Sequence, residues 1–189
     1  MPLLRNRENI VAFYSSLLYL KEFRCVVETE EWGDDSPYFV IFVGNLSQGL
    51  FTDVVRLRMP AWDNSAHSGK LFTPNLWAHN HVDTHSVVLV ALVEEDDDAD
   101  IGTDQLATLK LLMNARFSHY SSWNLTLPQR ASLMAEHFKT YLKDLLNSDE
   151  YIQTRHLPIS ANVGDLPLLN FFGDGGHYRV RFKMVDTQG

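Results

Sequence analysis

Apolar and polar positions along this chain follow one period up to about residue 100 and another beyond it. LKEFRCVVETE sets Phe23, Cys25 and Val27 against Glu22, Arg24 and Val26, a partial alternation in twos with an apolar end, which predicts a strand. After the turn-like EWGDDSP, the run YFVIFVG is aromatic and β-branched and lies between Pro37 and Gly44, so it predicts a buried strand. TDVVRLRM places Val55, Leu57 and Met59 on one side and Arg56 and Arg58 on the other. From Pro60 to Asp83 the chain is rich in His, Asn, Ser and Pro and reads as a loop, pinned to the core by Trp62, Phe72 and Trp77. VVLVALV, from Val87 to Val93, is the best central strand.

After Gly102 the period becomes helical. TDQLATLKLLMNARF spaces Leu106, Leu109, Leu112 or Met113, and Arg116 as one face, with Thr103 or Asp104 as N-cap. LPQRASLMAEHFKTYLKDLLN opens at Pro128, suited to the first helical position, and carries Leu133, Met134, Phe138, Tyr141, Leu142 and Leu145 as a stripe. GDGGHYRVRFKMV then reads as a glycine turn and a strand alternating Tyr178, Val180, Phe182 and Met184, expected to close the sheet begun near the N-terminus. These elements predict a mainly β chain of one domain: a β-sandwich over 18–102 and 165–187, with a helical insertion of two helices over about 103–164 before the final strand.

Length and composition agree with that picture. The chain has 189 residues, enough for one sizeable core, and 45% hydrophobic and 21% charged residues are ordinary for a globular domain. A formal charge of -8, with no basic stripe evident, argues against nucleic acid as a partner. Cys25 is the single cysteine and sits in a strand, so a buried thiol is expected and an internal disulfide is excluded. A cytoplasmic protein, or a secreted one without disulfides, is expected. IVAFYSSLLYL looks like a signal core, but Ser15, Ser16 and the nearby Glu8 argue against that reading, and no small-residue cleavage site follows. No apolar run approaches the roughly 20 residues of a transmembrane helix.

Carboxylates are the main candidate chemistry. Glu28, Glu30, Glu31, Asp34 and Asp35 follow the first strand, and Glu94, Glu95, Asp96, Asp97, Asp98 and Asp100 follow VVLVALV. Crowding so many negative charges costs repulsion unless water or a cation separates them. If both strands run to one edge, the two loops converge and offer hard oxygen ligands of the kind Ca²⁺ takes, typically six to eight; Mg²⁺ demands stricter octahedral geometry. Glu30, Asp34, Asp35, Glu94, Asp96, Asp98 and Asp100 are the candidate calcium ligands.

Three segments in order resemble the C2 domain, a calcium-dependent β-sandwich. DDSPYFVIFVG is similar to that family's S-D-P-Y motif and strand, RLRMPAWDN to its N-P-x-W-N-E segment, and VVLVALVEEDDDADIG to its strand ending in D-x-D and closing on an acid before I-G. The resemblance covers Leu20 to Gly102 and the last strand, and leaves the helical pair outside it. It implies that Glu94 and Asp96 stand at the D-x-D ligand positions and Asp100 at the following loop acid. Ser36 stands where the family has the aspartate of S-D-P-Y, with Asp35 just before it, and Glu30 or a neighbour supplies the other first-loop acid. The implied function is that of a non-enzymatic module, docking on a membrane surface or a protein partner once Ca²⁺ neutralises its loops.

Two other readings come from other classes. AHNHVDTH sets His79, His81, Asp83 and His85 at every second position, so extended backbone would turn all four to one side as Zn²⁺ ligands. The run resembles the H-x-H-x-D-H signature of metallo-β-lactamase-like hydrolases, with one extra residue before His85, and implies a zinc-dependent hydrolase. The other reading is a metal-free interaction or inhibitory factor that uses the helical insertion as its contact surface. GDGGHY, despite its glycines, is expected to be a hairpin turn, since no helix follows to make it a phosphate loop.

Overall fold

A computed structural model of the chain describes residues 16–29, 36–47, 50–59, 66–95, 101–146, 149–173 and 175–187. In chain order the elements are β1 (Ser16–Val27), β2 (Pro37–Asn45), β3 (Phe51–Leu57), β4 (Leu71–Phe72), β5 (Leu76–Val82), β6 (Ser86–Glu94), α1 (Thr103–Ser121), α2 (Leu127–Leu145), β7 (Glu150–His156), β8 (Gly164–Asp165), β9 (Leu169–Gly173) and β10 (Gly176–Asp186). The described residues are mainly β, with two antiparallel sheets and two helices. One sheet runs β4-β1-β10-β8, with β5 also paired to β1 and β9 to β10; the other runs β3-β2-β6-β7.

Alternate residues of β2 and β6 explain why their sequences are apolar throughout. Phe39, Ile41 and Val43 of β2 and Val88, Val90 and Leu92 of β6 join Leu18, Leu20, Phe23, Tyr178 and Phe182 of the first sheet in one core. Phe23 and Phe39 meet edge to face across it, ring centroids 5.6 Å apart. Tyr38, Val40, Phe42, Leu89 and Ala91 point the other way and pack on Leu109, Met113 and Phe117 of α1 and Met134, Phe138 and Leu142 of α2. All nine positions of β2 and all nine of β6 are buried, whereas β1 and β10 show the partial alternation of strands with one open face. The helices therefore form a third layer, on the outer face of the second sheet.

Gly44 is required at the end of the YFVIFVG run. A Cβ there would lie 2.8 Å from the ring of Phe117, so only glycine lets α1 settle on β2. The helix pair is also set by caps. Thr126 accepts from the backbone N–H of Gln129, whose side chain returns a bond to the Thr126 N–H at 2.9 Å.

Several expectations are revised. The N-cap of α1 is Gly102 rather than Thr103 or Asp104, with the Gln105 side chain accepting from the Gly102 N–H. Of the two alternatives Leu112 and Met113, it is Met113 that faces the core. Four strands follow the helices rather than one, and β7, within the range read as helical, extends the second sheet beside β6. The stretch read as a loop contains β5, paired with β1, and Trp77 is half-exposed rather than pinned inside; Trp62 lies outside the described residues. Cys25 is buried, and the Gly173↔Gly176 pairing closes GDGGHY into a β9–β10 hairpin. Among the described residues no helix is long and apolar enough to cross a membrane.

Candidate metal-binding site

Three strand ends meet at one edge of the second sheet. Pro37 at the start of β2 is the cross-strand partner of Glu94 at the end of β6, and Glu94 is in turn the partner of Glu150 at the start of β7. The ladder continues one step beyond, where the Glu95 N–H donates to the Ser36 carbonyl at 3.3 Å. Ser36 and Glu95, which border segments 30–35 and 96–100 in the sequence, are therefore hydrogen-bonded neighbours. Of the candidate calcium ligands, Glu94 is described, whereas Glu30, Asp34, Asp35, Asp96, Asp98 and Asp100 lie outside the described residues.

The described part of this rim is rich in buried carboxylate. Glu94, Glu95 and Asp149 are all at least nine-tenths buried. The Ser36 N–H donates to Glu94 Oε1 at 2.9 Å, and the Tyr38 hydroxyl to Asp149 Oδ2 at 2.5 Å. Arg58 pairs with Glu95 Oε2, while Glu95 Oε1 is buried with no hydrogen-bond partner among the described residues. Glu94 and Glu150 face each other as like charges on adjacent strands, an arrangement that destabilises unless something positive intervenes. Glu28, from the first acidic cluster, is engaged elsewhere: it exchanges hydrogen bonds of 3.1 Å with Ser68.

The histidine run does not present its four side chains together. Both Ala78 and His79 are buried, and a register shift in the β1–β5 ladder falls between Leu18 and Tyr19, so the alternation assumed for extended backbone breaks there. His81 takes φ 62, a left-handed conformation at the end of β5, and is exposed. Asp83 serves the β5–β6 turn: it accepts from Ser47 Oγ at 2.5 Å and from the His85 N–H at 2.8 Å. Burial pushes the Asp83 carboxyl up, but hydrogen bonds from Ser47, Asn45 and the His85 N–H outweigh it and hold the group below its ordinary value. His85 is exposed. Among the described residues, no group of three or more His, Cys, Asp or Glu side chains is gathered to hold a metal ion.

His79 has a different engagement. Its Nε2 lies 3.4 Å from Asp53 Oδ2, and Lys110 Nζ lies 2.8 Å from Asp53 Oδ1. The hydrogen bond with His79, helped by Lys110 and opposed by burial, lowers the Asp53 pKa to about 2. This chain links β5 of the first sheet, β3 of the second and α1, so it reads as a polar tie through all three layers.

The sequence reading missed Asp149 and Arg58 at the rim. Asp149 opens a stretch assigned to the helical insertion, and only the β6–β7 ladder brings it beside Glu94. Arg58 was visible as a cation near the end of a strand, but nothing in the sequence pairs it with Glu95. No protein-family model matches this chain, and neither does any curated protein.

Proposed function

We propose that this chain is a non-enzymatic β-sandwich module of the C2-like kind, which takes Ca²⁺ at its acidic rim and docks through that rim on a membrane surface or a protein partner. The observation that carries the reading is the Glu95–Ser36 hydrogen bond, whose two residues border the two acid-rich segments in the sequence. The buried Glu94, Glu95 and Asp149 add support as hard carboxylate oxygens at that rim, where Arg58 already pairs with Glu95. The described carboxylates alone do not make a calcium shell. Its six to eight oxygens would be completed from Asp34, Asp35, Asp96, Asp98 and Asp100. Calcium would remove the repulsion between the segments and reverse the sign of the rim towards an anionic surface.

The test is thermal unfolding with millimolar Ca²⁺ and with chelator. Calcium at 100 times its dissociation constant stabilises by about 2.7 kcal/mol, and for a chain of this size each kcal/mol moves Tm by about 2–4 °C. A rise of that order, abolished in Asp96→Asn/Asp98→Asn, is the expected result. Identical melting in calcium and chelator would overturn the proposal.

A further inference from the structure

A second site is built from cations in this acidic protein. The outer face of the first sheet carries His177, Arg179, Arg181 and Lys183 on β10, while Tyr178, Val180 and Phe182 of the same strand fill the core. Towards the end of β10 these cations are partnered: Arg181 lies 3.3 Å from Glu22 and 3.5 Å from Asp165, and Lys183 Nζ stands over the Tyr19 ring. Towards its start they are not. Arg24 and Arg179 are direct cross-strand partners, and neither forms an ion pair with any described residue. Like charges set opposite each other on one face destabilise a sheet, which makes their retention here informative.

Arg179 also lines an open pocket of about 540 Å³ with Arg155, His177, Asn170, Phe172 and Leu168, and among the described residues its lining contains no carboxylate. The polar groups are held in place. Arg155 Nε donates to the Asn170 carbonyl at 2.9 Å, which fixes the guanidinium of β7 against β9 and leaves its terminal nitrogens without a hydrogen bond to the described residues. His177 Nε2 lies 3.2 Å from Asn170 Oδ1, and its ring stacks on Phe172 with centroids 4.3 Å apart. Burial, and then the Arg179 charge, hold the His177 pKa below the ordinary imidazole value, which agrees with a local excess of positive potential. Phe172 and Leu168 remain substantially exposed beside these cations, at 51% and 40%.

We infer that this pocket binds a small organic phosphate, with Arg155 and Arg179 taking the phosphate oxygens and the Phe172–His177 stack and Leu168 packing against its apolar or flat body. Two guanidinium forks on two different strands suit a dianion with three equivalent oxygens better than a single carboxylate, and the exposed ring favours an ester over the bare ion. None of these residues belongs to the acidic rim, so the site stands or falls independently of calcium.

The probe is phenyl phosphate, titrated by calorimetry at low ionic strength, with inorganic phosphate and benzoate as comparisons. Saturable one-to-one binding is expected, tighter for phenyl phosphate than for either comparison. Arg179→Gln, at an exposed position, is expected to weaken it at least about tenfold with thermal unfolding unchanged, a loss of roughly 1.4 kcal/mol. Phe172→Ala should lower the affinity for phenyl phosphate and leave that for inorganic phosphate unaltered. Absence of saturation into the millimolar range would overturn the inference, as would undiminished binding by Arg179→Gln or benzoate binding as tightly as the ester. Because Arg155 bridges two strands, Arg155→Gln is read only alongside Arg179→Gln, which decides the matter.

Discussion

The backbone N–H of Glu95 donates to the carbonyl of Ser36 across 3.3 Å. That bond joins the last described residue before one acidic segment to the first described residue after another, across 58 intervening positions of sequence. It extends the β2–β6 ladder one step beyond the Pro37↔Glu94 pair.

A calcium-binding rim of this kind predicts opposite effects of one substitution in two conditions. Asp96→Asn/Asp98→Asn removes two negative charges. In chelator, relief of repulsion should raise stability by about 0.5–1 kcal/mol; in excess Ca²⁺ the same variant should be less stable than wild type. Paired denaturant titrations check this, and a shift of the same sign in both conditions would remove calcium from the account.

Asp53 predicts an acid-dependent loss of stability. Its folded pKa of about 2 lies below the ordinary 3.8, so its contribution is fully present above about pH 4 and disappears as pH falls towards 2. The carboxylate is partly exposed, so screening reduces the contribution to about 1 kcal/mol. Urea unfolding of wild type and Asp53→Asn between pH 5 and 2 should show a stability gap that narrows across that window.

Gly44 and Phe117 predict a coupled pair. Gly44→Ala pushes a methyl group into the Phe117 ring and should destabilise by about 1–3 kcal/mol. In a Phe117→Leu background that ring is absent and the added cost should fall without vanishing, because the Phe42 ring would still lie 2.9 Å from the new Cβ. A double-mutant cycle measures the difference, and additive effects would mean that α1 does not bear on β2 as described.

Arg130 predicts a local effect. Its guanidinium is buried and donates to the carbonyls of Tyr120 and Trp123 at the end of α1, where the helix dipole favours a cation. Arg130→Met keeps the bulk and removes the donors, so it should cost about 1–3 kcal/mol and speed amide exchange around the α1–α2 turn. Unchanged exchange there would show that the cap is dispensable.

Both helices, and the strands β2 and β6, could be read from the sequence because their signals are local. A continuous run such as YFVIFVG has no solvent face, and the stripe through Met134, Phe138 and Leu142 has a clear one. β5 was hidden because a register shift, the left-handed His81 and a polar composition erase its alternation. β7 was hidden because EYIQTRH has little apolar content and owes its place to the neighbouring β6. Phe172 falls outside every segment singled out in the sequence, and Arg179 reads there only as part of a strand.

By itself, the sequence determined which segments must be buried, where the helical period begins, and that two acid-rich runs flank apolar strands. Those are properties of a segment's own side chains, set by the free energy of removing them from water. Only the tertiary structure decided that Ser36 meets Glu95, that His79 turns to Asp53 while His81 faces solvent, and that Arg155 shares a pocket with Arg179. Such pairings depend on strand register and layer order, which are set jointly by backbone hydrogen bonds and packing between segments far apart in the chain.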